Sequence, residues 1–343
     1  MSVAARAFIC GLAGPRLSEG EAAFLADAAP WGVILFGRNI RGPNQVRRLC
    51  ADVRKALGRD DAPILIDQEG GRVQRIGPPH LNSYPPAGTF GRVYGANPVL
   101  GVEAARLGAK LIGLDLAALG ITVDCLPVLD VPVAGADSII GDRAYGLTAD
   151  AVTTLGGAAA DGLLSAGVLP VMKHMPGHGR ADADSHKALP KVTASREELE
   201  AQDFVPFRIW AKKIPLGMTA HVVYTALDPD RPATLSPKVI GEIIRGRIGF
   251  DGALMTDDIS MGALSGDIGA RSRRAIAAGC DLVLHCNGAM EEMKAVAEAV
   301  PELSGDRLRR TEAALAMLSP ARVVDRPTAE ARFAELIGRA EAA

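Results

Sequence analysis

Eight short runs of aliphatic and β-branched residues recur along the chain: AFIC at 7–10, GVILF at 32–36, PILI at 63–66, ITVDCL at 121–126, VLPVM at 168–172, LGMT at 216–219, ALMT at 253–256 and DLVLH at 281–285. Runs this apolar suit strands buried on both faces, as in a parallel sheet covered by helices. Segments of helical period lie between most of them, at 44–57, 104–120, 149–167, 196–213 and 236–248. The alternation predicts a parallel α/β sheet, and eight units predict a single-domain (β/α)8 (TIM) barrel, with an open doubly wound sheet as the alternative. No Pro/Gly/Ser-rich linker and no internal repeat divides the chain. The barrel is therefore expected to take up residues 1–343, ending in a helical C-terminal tail from about 303 that carries little chemistry.

Composition narrows the function classes. With 48% hydrophobic and 23% charged residues the chain has enough apolar material for a large core under an ordinary polar surface. A net charge of −2 and 4% aromatic residues supply neither the basic field nor the stacking side chains of a nucleic-acid binder, so no nucleic acid is expected as a partner. The N-terminal apolar run is broken by Gly, Pro and charges before a secretory leader is complete, and no run reaches the length of a membrane span. A cytoplasmic protein with no membrane partner is the expectation. The five cysteines, odd in number and without a CxxC pair, read as buried reduced thiols. Oligomeric state leaves no mark in the sequence.

The residues just past each apolar run are more informative. PILI ends in Asp67-Gln68-Glu69, CLPVL in Asp130, LPVM in Lys173-His174 and DLVL in His285, while LGMT leads to His221 and ALMT runs into Asp257-Asp258. Titratable residues thus gather at strand C-termini, the face on which barrel enzymes build their sites. One strand-end Asp is as readily a helix cap; six such ends in register call for another reason. The densest stretch, KHMPGHGRADADSH at 173–186, holds three of the six histidines.

Four motifs carry a resemblance: LIDQEGGRVQR at 65–75, GDRAYG at 141–146, KHMPGHG at 173–179 followed by DSH at 184–186, and LMTDDISM at 254–261. In this order the chain resembles the family 3 glycoside hydrolases, and more narrowly their bacterial cytoplasmic β-N-acetylglucosaminidases of cell-wall recycling, over roughly Val33 to Cys286. Many members of the wider family carry a second α/β domain that supplies an acid/base carboxylate; this chain resembles the shorter, single-domain branch. The resemblance implies a retaining exo-β-N-acetylglucosaminidase acting on a carbohydrate, such as N-acetylglucosaminyl-1,6-anhydro-N-acetylmuramic acid and its peptides, without metal or cofactor. It implies Asp257 as nucleophile and His186, oriented by Asp184, as acid/base group; an imidazole near its own pKa can give and take a proton at neutral pH. Lys173 and His174 would contact the non-reducing sugar, Asp67 its O4 and O6 region, and Arg75 and Arg143 the hydroxyls or the acetamido group. The chain departs from the usual motifs by Met175 where Phe is common and by Thr256 where Ser is frequent.

Other readings are weaker. His174, His178, His186, His221 and Asp257 would make a metal-ligand set, but no HxH ends an early strand and HMPGH lacks the helical setting that aligns i,i+4 histidines. A phosphorylase on the same scaffold is closer, since a histidine acid/base does not repel phosphate. A non-catalytic sugar-binding barrel would need a damaged nucleophile or dyad. Asp258 is read as making a structural hydrogen bond or capping a helix, His178 as shaping its loop beside Gly177 and Gly179, and His221 as either lining the pocket or holding a neighbour. Leaving-group contacts are expected from loops such as 77–98 and 180–190.

Overall fold

The structure, a computed structural model, describes residues 4–185, 189–322 and 324–341. Its centre is a closed barrel of eight parallel strands: β1 (Arg6–Gly11), β2 (Pro30–Leu35), β3 (Ile64–Ile66), β4 (Val123–Asp124), β5 (Leu169–Met175), β6 (Leu216–Thr219), β7 (Ala253–Asp258) and β8 (Leu282–His285). Each strand hydrogen-bonds to the next in sequence, and β8 closes on β1 with Phe8 opposite Val283 and Cys10 opposite His285. Closure rules out the open doubly wound alternative. Every one of the eight apolar runs contributes a barrel strand, because each must be apolar on both its inward and its helix-facing side.

One strand, β5, reaches furthest past the end of its apolar run. β5 continues through Lys173, His174 and Met175, all buried, which the run ending at Met172 does not signal. A lysine and a histidine tolerate that burial only where partners compensate the lost water, and the carboxylates of Asp67, Glu69 and Asp130 do so. The peptide bonds Lys173–His174 and Met175–Pro176 are cis.

The helical layer follows the expected periodicity. Helix Pro43–Leu57 buries Val46, Leu49, Cys50, Val53 and Leu57, the i, i+3, i+4, i+7 stripe, and stops at Gly58 with φ +62°. Helices Pro98–Ala118 and Ala149–Ser165 approach closely through small residues: a Cβ on Gly162 would stand 2.3 Å from the Arg106 carbonyl oxygen. The expected segments 196–213 and 236–248 are helical but wound with π-turns, at Leu199–Asp203 and Val239–Arg247. The stretch 77–98, expected as loop, instead contains helix Ala87–Ala96, whose Phe90 and Val93 are buried. Its Pro- and Gly-rich flanks hide a single amphipathic turn pattern. Beyond 303 come helices Gly305–Leu315 and Arg326–Glu341, the second lying against Ala87–Ala96 and Pro98–Ala118. All five cysteines are buried and unpaired. Among the described residues, no helix is long and apolar enough to cross a membrane.

Candidate active site

A cavity of about 330 Å³ opens at the C-terminal ends of the strands. One wall comes from the segment after β3. Gln68 folds that segment back on itself, its Nε2 donating to the Ile76 carbonyl at 2.7 Å while its Oε1 accepts the Ile76 N–H at 3.1 Å. The EGG turn needs its glycines: Gly70 has φ +94°, and a Cβ there would be 2.4 Å from the Pro85 carbonyl oxygen. The result aims Asp67 and Glu69 at the end of β5, where Lys173 lies between them, its Nζ 3.0 Å from Asp67 Oδ1 and 2.7 Å from Glu69 Oε1.

Two arginines complete the row. Arg143 grips Glu69 with a two-pronged fork, 2.8 Å on each prong, and Arg75 donates to Asp67 Oδ2 at 3.0 Å. Charges therefore alternate as Arg75, Asp67, Lys173, Glu69, Arg143. Burial alone would raise the pKa of both carboxyls, but Lys173 with Arg75 outweighs it at Asp67, and Lys173 with Arg143 brings Glu69 down to about 2. Burial would likewise discharge Lys173; the Asp67 and Glu69 carboxylates reverse that and hold it charged. Asp124 accepts the Gln68 N–H at 2.9 Å, and burial pushes its pKa well above the ordinary carboxyl value.

A second carboxylate organises the KHMPGHG turn. Asp130 accepts the backbone N–H of His174 at 3.1 Å and of His178 at 2.7 Å, and its Oδ2 lies 2.7 Å from His174 Nδ1. An ionised acceptor requires Nδ1 to carry the hydrogen, which leaves His174 Nε2 as the ring's remaining polar atom beside the cavity. Gly177 has φ +135°, and a Cβ on Gly179 would meet the Val131 carbonyl oxygen at 2.1 Å, so both glycines are required by this packing. His178 sits edge-on to His174 with ring centroids 5.6 Å apart and places Nε2 3.2 Å from Ser185 Oγ. Burial and the neighbouring His174 lower its pKa to about 4, so it is neutral.

Asp257, at the end of β7, is half-buried and faces the cavity. Burial works to raise its pKa, yet His174, His221, the Asp258 N–H at 2.8 Å and Lys173 together hold it below the ordinary value. Asp258 also borders the cavity, but its oxygens are occupied by the Ser260 N–H and hydroxyl and by the Cys286 N–H. His221 holds its neighbours: Nδ1 lies 2.7 Å from Thr234 Oγ1 and Nε2 3.0 Å from the Asp258 carbonyl oxygen. His285 turns outward to Glu292 at 2.8 Å, so it does not belong to the site.

Of the residues singled out in the sequence, Asp67, Arg75, Arg143, Lys173, His174 and Asp257 surround this one cavity. His186 lies outside the described residues, and Asp184 and Ser185 border it in sequence. The sequence marks Glu69 and Asp130 only as strand-end residues, although they anchor the cluster. Their places, beside Asp67 and after the fourth apolar run, are visible in the sequence; the partners they take are not. Both His221 nitrogens are engaged, and among the described residues no group of three or more His, Cys, Asp or Glu side chains is disposed for a metal; His186 lies outside them.

A closed barrel with a deep polar pocket at its strand ends and an ionised carboxylate facing the pocket has the construction of a barrel glycoside hydrolase. The sequence profile described as glycosyl hydrolase family 3 N terminal domain matches residues 5–316. A beta-hexosaminidase of Alkalilimnicola ehrlichii is 41% identical over 295 residues, 85% of this chain and 83% of that protein. The crystal structure of NagZ from Neisseria gonorrhoeae in complex with N-trifluoroacetyl-D-glucosamine superposes with a TM-score of 0.88 at 31% identity, over 98% of this chain and 99% of that one. A family 3 beta-N-acetylglucosaminidase from Paenibacillus gives 0.84 at 32% identity over 97% of this chain, which spans 66% of that longer protein. The chain belongs to glycosyl hydrolase family 3.

Proposed function

We propose that the chain is a β-N-acetylhexosaminidase that removes terminal β-linked N-acetylglucosamine by a two-step retaining mechanism. The observation that carries this reading is Asp257: a carboxylate kept ionised by His174 and His221 while facing a cavity lined by hydrogen-bonding groups. In the first step a carboxylate oxygen of Asp257 bonds to the anomeric carbon, the glycosidic C–O bond breaks, and His186, aided by Asp184, gives its proton to the departing oxygen. In the second, His186 takes a proton from water as the water oxygen displaces Asp257. The row from Arg75 to Arg143 and the Nε2 of His174 would hold the sugar hydroxyls. The names of the similar proteins support the acetamido sugar, and the motif resemblance supports a muropeptide-derived disaccharide met in the cytoplasm.

The test is nitrophenol release from the aryl β-N-acetylglucosaminide beside the matching β-glucoside, with and without EDTA and with and without phosphate. Turnover of the N-acetyl substrate alone, unaffected by EDTA, is expected. Acceleration by phosphate would make phosphate the acceptor in place of water, and loss in EDTA would sink the metal-free mechanism. Proton NMR of early product should show the β-anomer, whereas α-product first would rule out retention.

A further inference from the structure

The family profile ends at residue 316, ten residues before the C-terminal helix Arg326–Glu341 begins. That helix nevertheless leads to the site. Glu69 and Arg143, joined by their fork, belong to two separate loops, and something must hold those loops at a fixed spacing. Behind them lies a chain of rings: Tyr145 stacks on Phe90 with centroids 6.3 Å apart, Phe90 meets Phe333 at 6.3 Å, and Phe333 meets Tyr84 at 6.2 Å. Tyr145 is two residues past Arg143. Tyr84 supports the other loop, its carbonyl accepting the Gly71 N–H at 2.8 Å and its N–H donating to Gln74 Oε1 at 2.9 Å.

Phe333 therefore touches Tyr84 directly and reaches Tyr145 through Phe90, and Gly108 makes room for it: a Cβ there would be 2.8 Å from the Phe333 ring. A polar tie secures the same joint. Tyr84 donates to Asp115 Oδ2 at 2.6 Å, and Arg326 grips the other oxygen of Asp115 at 2.6 Å. We propose that the C-terminal helix, through Phe333 and Arg326, is a positioning element that sets the spacing of the two loops bearing Glu69 and Arg143. The inference rests on the reading that this cluster binds the sugar. It concerns binding rather than attack, because β7, with Asp257, stands across the barrel from β3.

The experiment compares Phe333→Ala, Phe333→Leu and Arg326→Gln with the native chain, by hydrogen exchange without substrate and by kinetics on the aryl N-acetylglucosaminide. Phe333→Ala should speed exchange in both 67–76 and 139–146 while β7 stays protected. It should raise KM roughly three- to thirtyfold, as remote packing changes do, with kcat within about twofold. Phe333→Leu should restore much of the loss. Arg326→Gln, which leaves the rings in place, should loosen 67–76 alone and serves if Phe333→Ala does not fold. Faster exchange confined to 326–341 would overturn the coupling itself, whatever the cluster binds. Faster exchange in both loops with KM unchanged would overturn the role in binding.

Discussion

Lys173 is buried between two carboxylates, and its removal would leave Asp67 and Glu69 close together without their shared cation. Breaking a buried pair from one side costs about 3–5 kcal/mol, so Lys173→Met should lower the urea midpoint sharply. Adding Glu69→Gln should recover part of that loss, and no recovery would mean that repulsion is not the cause. At Asp257 the expectation is the opposite: Asp257→Ala removes a group whose hydrogen bond among the described residues is to the Asp258 N–H, so turnover should vanish while the melting temperature stays close to native. His186→Ala should harm substrates with poor leaving groups far more than activated aryl glycosides, since only the former need the proton; equal losses on both would remove His186 as the acid. The residues that line the cavity could be picked out because their types and neighbours in sequence carry the motif. Glu69 and Asp130 could not be placed so well, because each acts on a partner more than forty residues away.

At the scale of elements, a strand buried on both faces has nearly one way to be written, which is why all eight runs were readable while the polar ends of β5 and β7 were not part of them. Close packing is less visible, because a glycine does not say in sequence what it faces. Gly179 and Gly241 make the contrast. The first has the Val131 carbonyl within 2.1 Å of where a Cβ would sit, and the second has nothing within 4 Å. Backbone cannot move aside as a side chain can, so Gly179→Ala should destabilise by about 1–3 kcal/mol and reduce turnover by displacing the KHMPGHG turn. Gly241→Ala, in the helical stretch Val239–Arg247, should instead stabilise by about 0.4–1 kcal/mol. Denaturant unfolding of both variants checks the pair, and equal behaviour would refute the steric argument.

For the whole molecule, the barrel was legible and the service of the tail was not. The aromatic rings behind the cluster come from three separate stretches of chain, Tyr84 with Phe90, Tyr145, and Phe333, so no local pattern joins them. Global stability should carry the mark of the buried cluster at low pH. Glu69 titrates at about 2 in the folded chain against an ordinary 4.5, so its contribution is fully present above about pH 4.5 and is lost as the pH falls through about 2. The difference in melting temperature between the native chain and Glu69→Gln should therefore be constant from pH 7 to about 5 and shrink below that. A constant difference down to about pH 2.5 would contradict a depressed Glu69.

The alternating row from Arg75 to Arg143 has one more consequence, for the solvent rather than the fold. Each of its carboxylates lies 2.7 to 3.0 Å from two cations, well inside the roughly 8 Å over which physiological salt screens, and the proposed glycan end is uncharged. With a neutral ligand, added salt has no long-range attraction to weaken. KM for the neutral aryl substrate should hold level from about 20 mM to about 1 M sodium chloride, leaving any salt sensitivity to whatever charge the departing portion of a natural substrate carries.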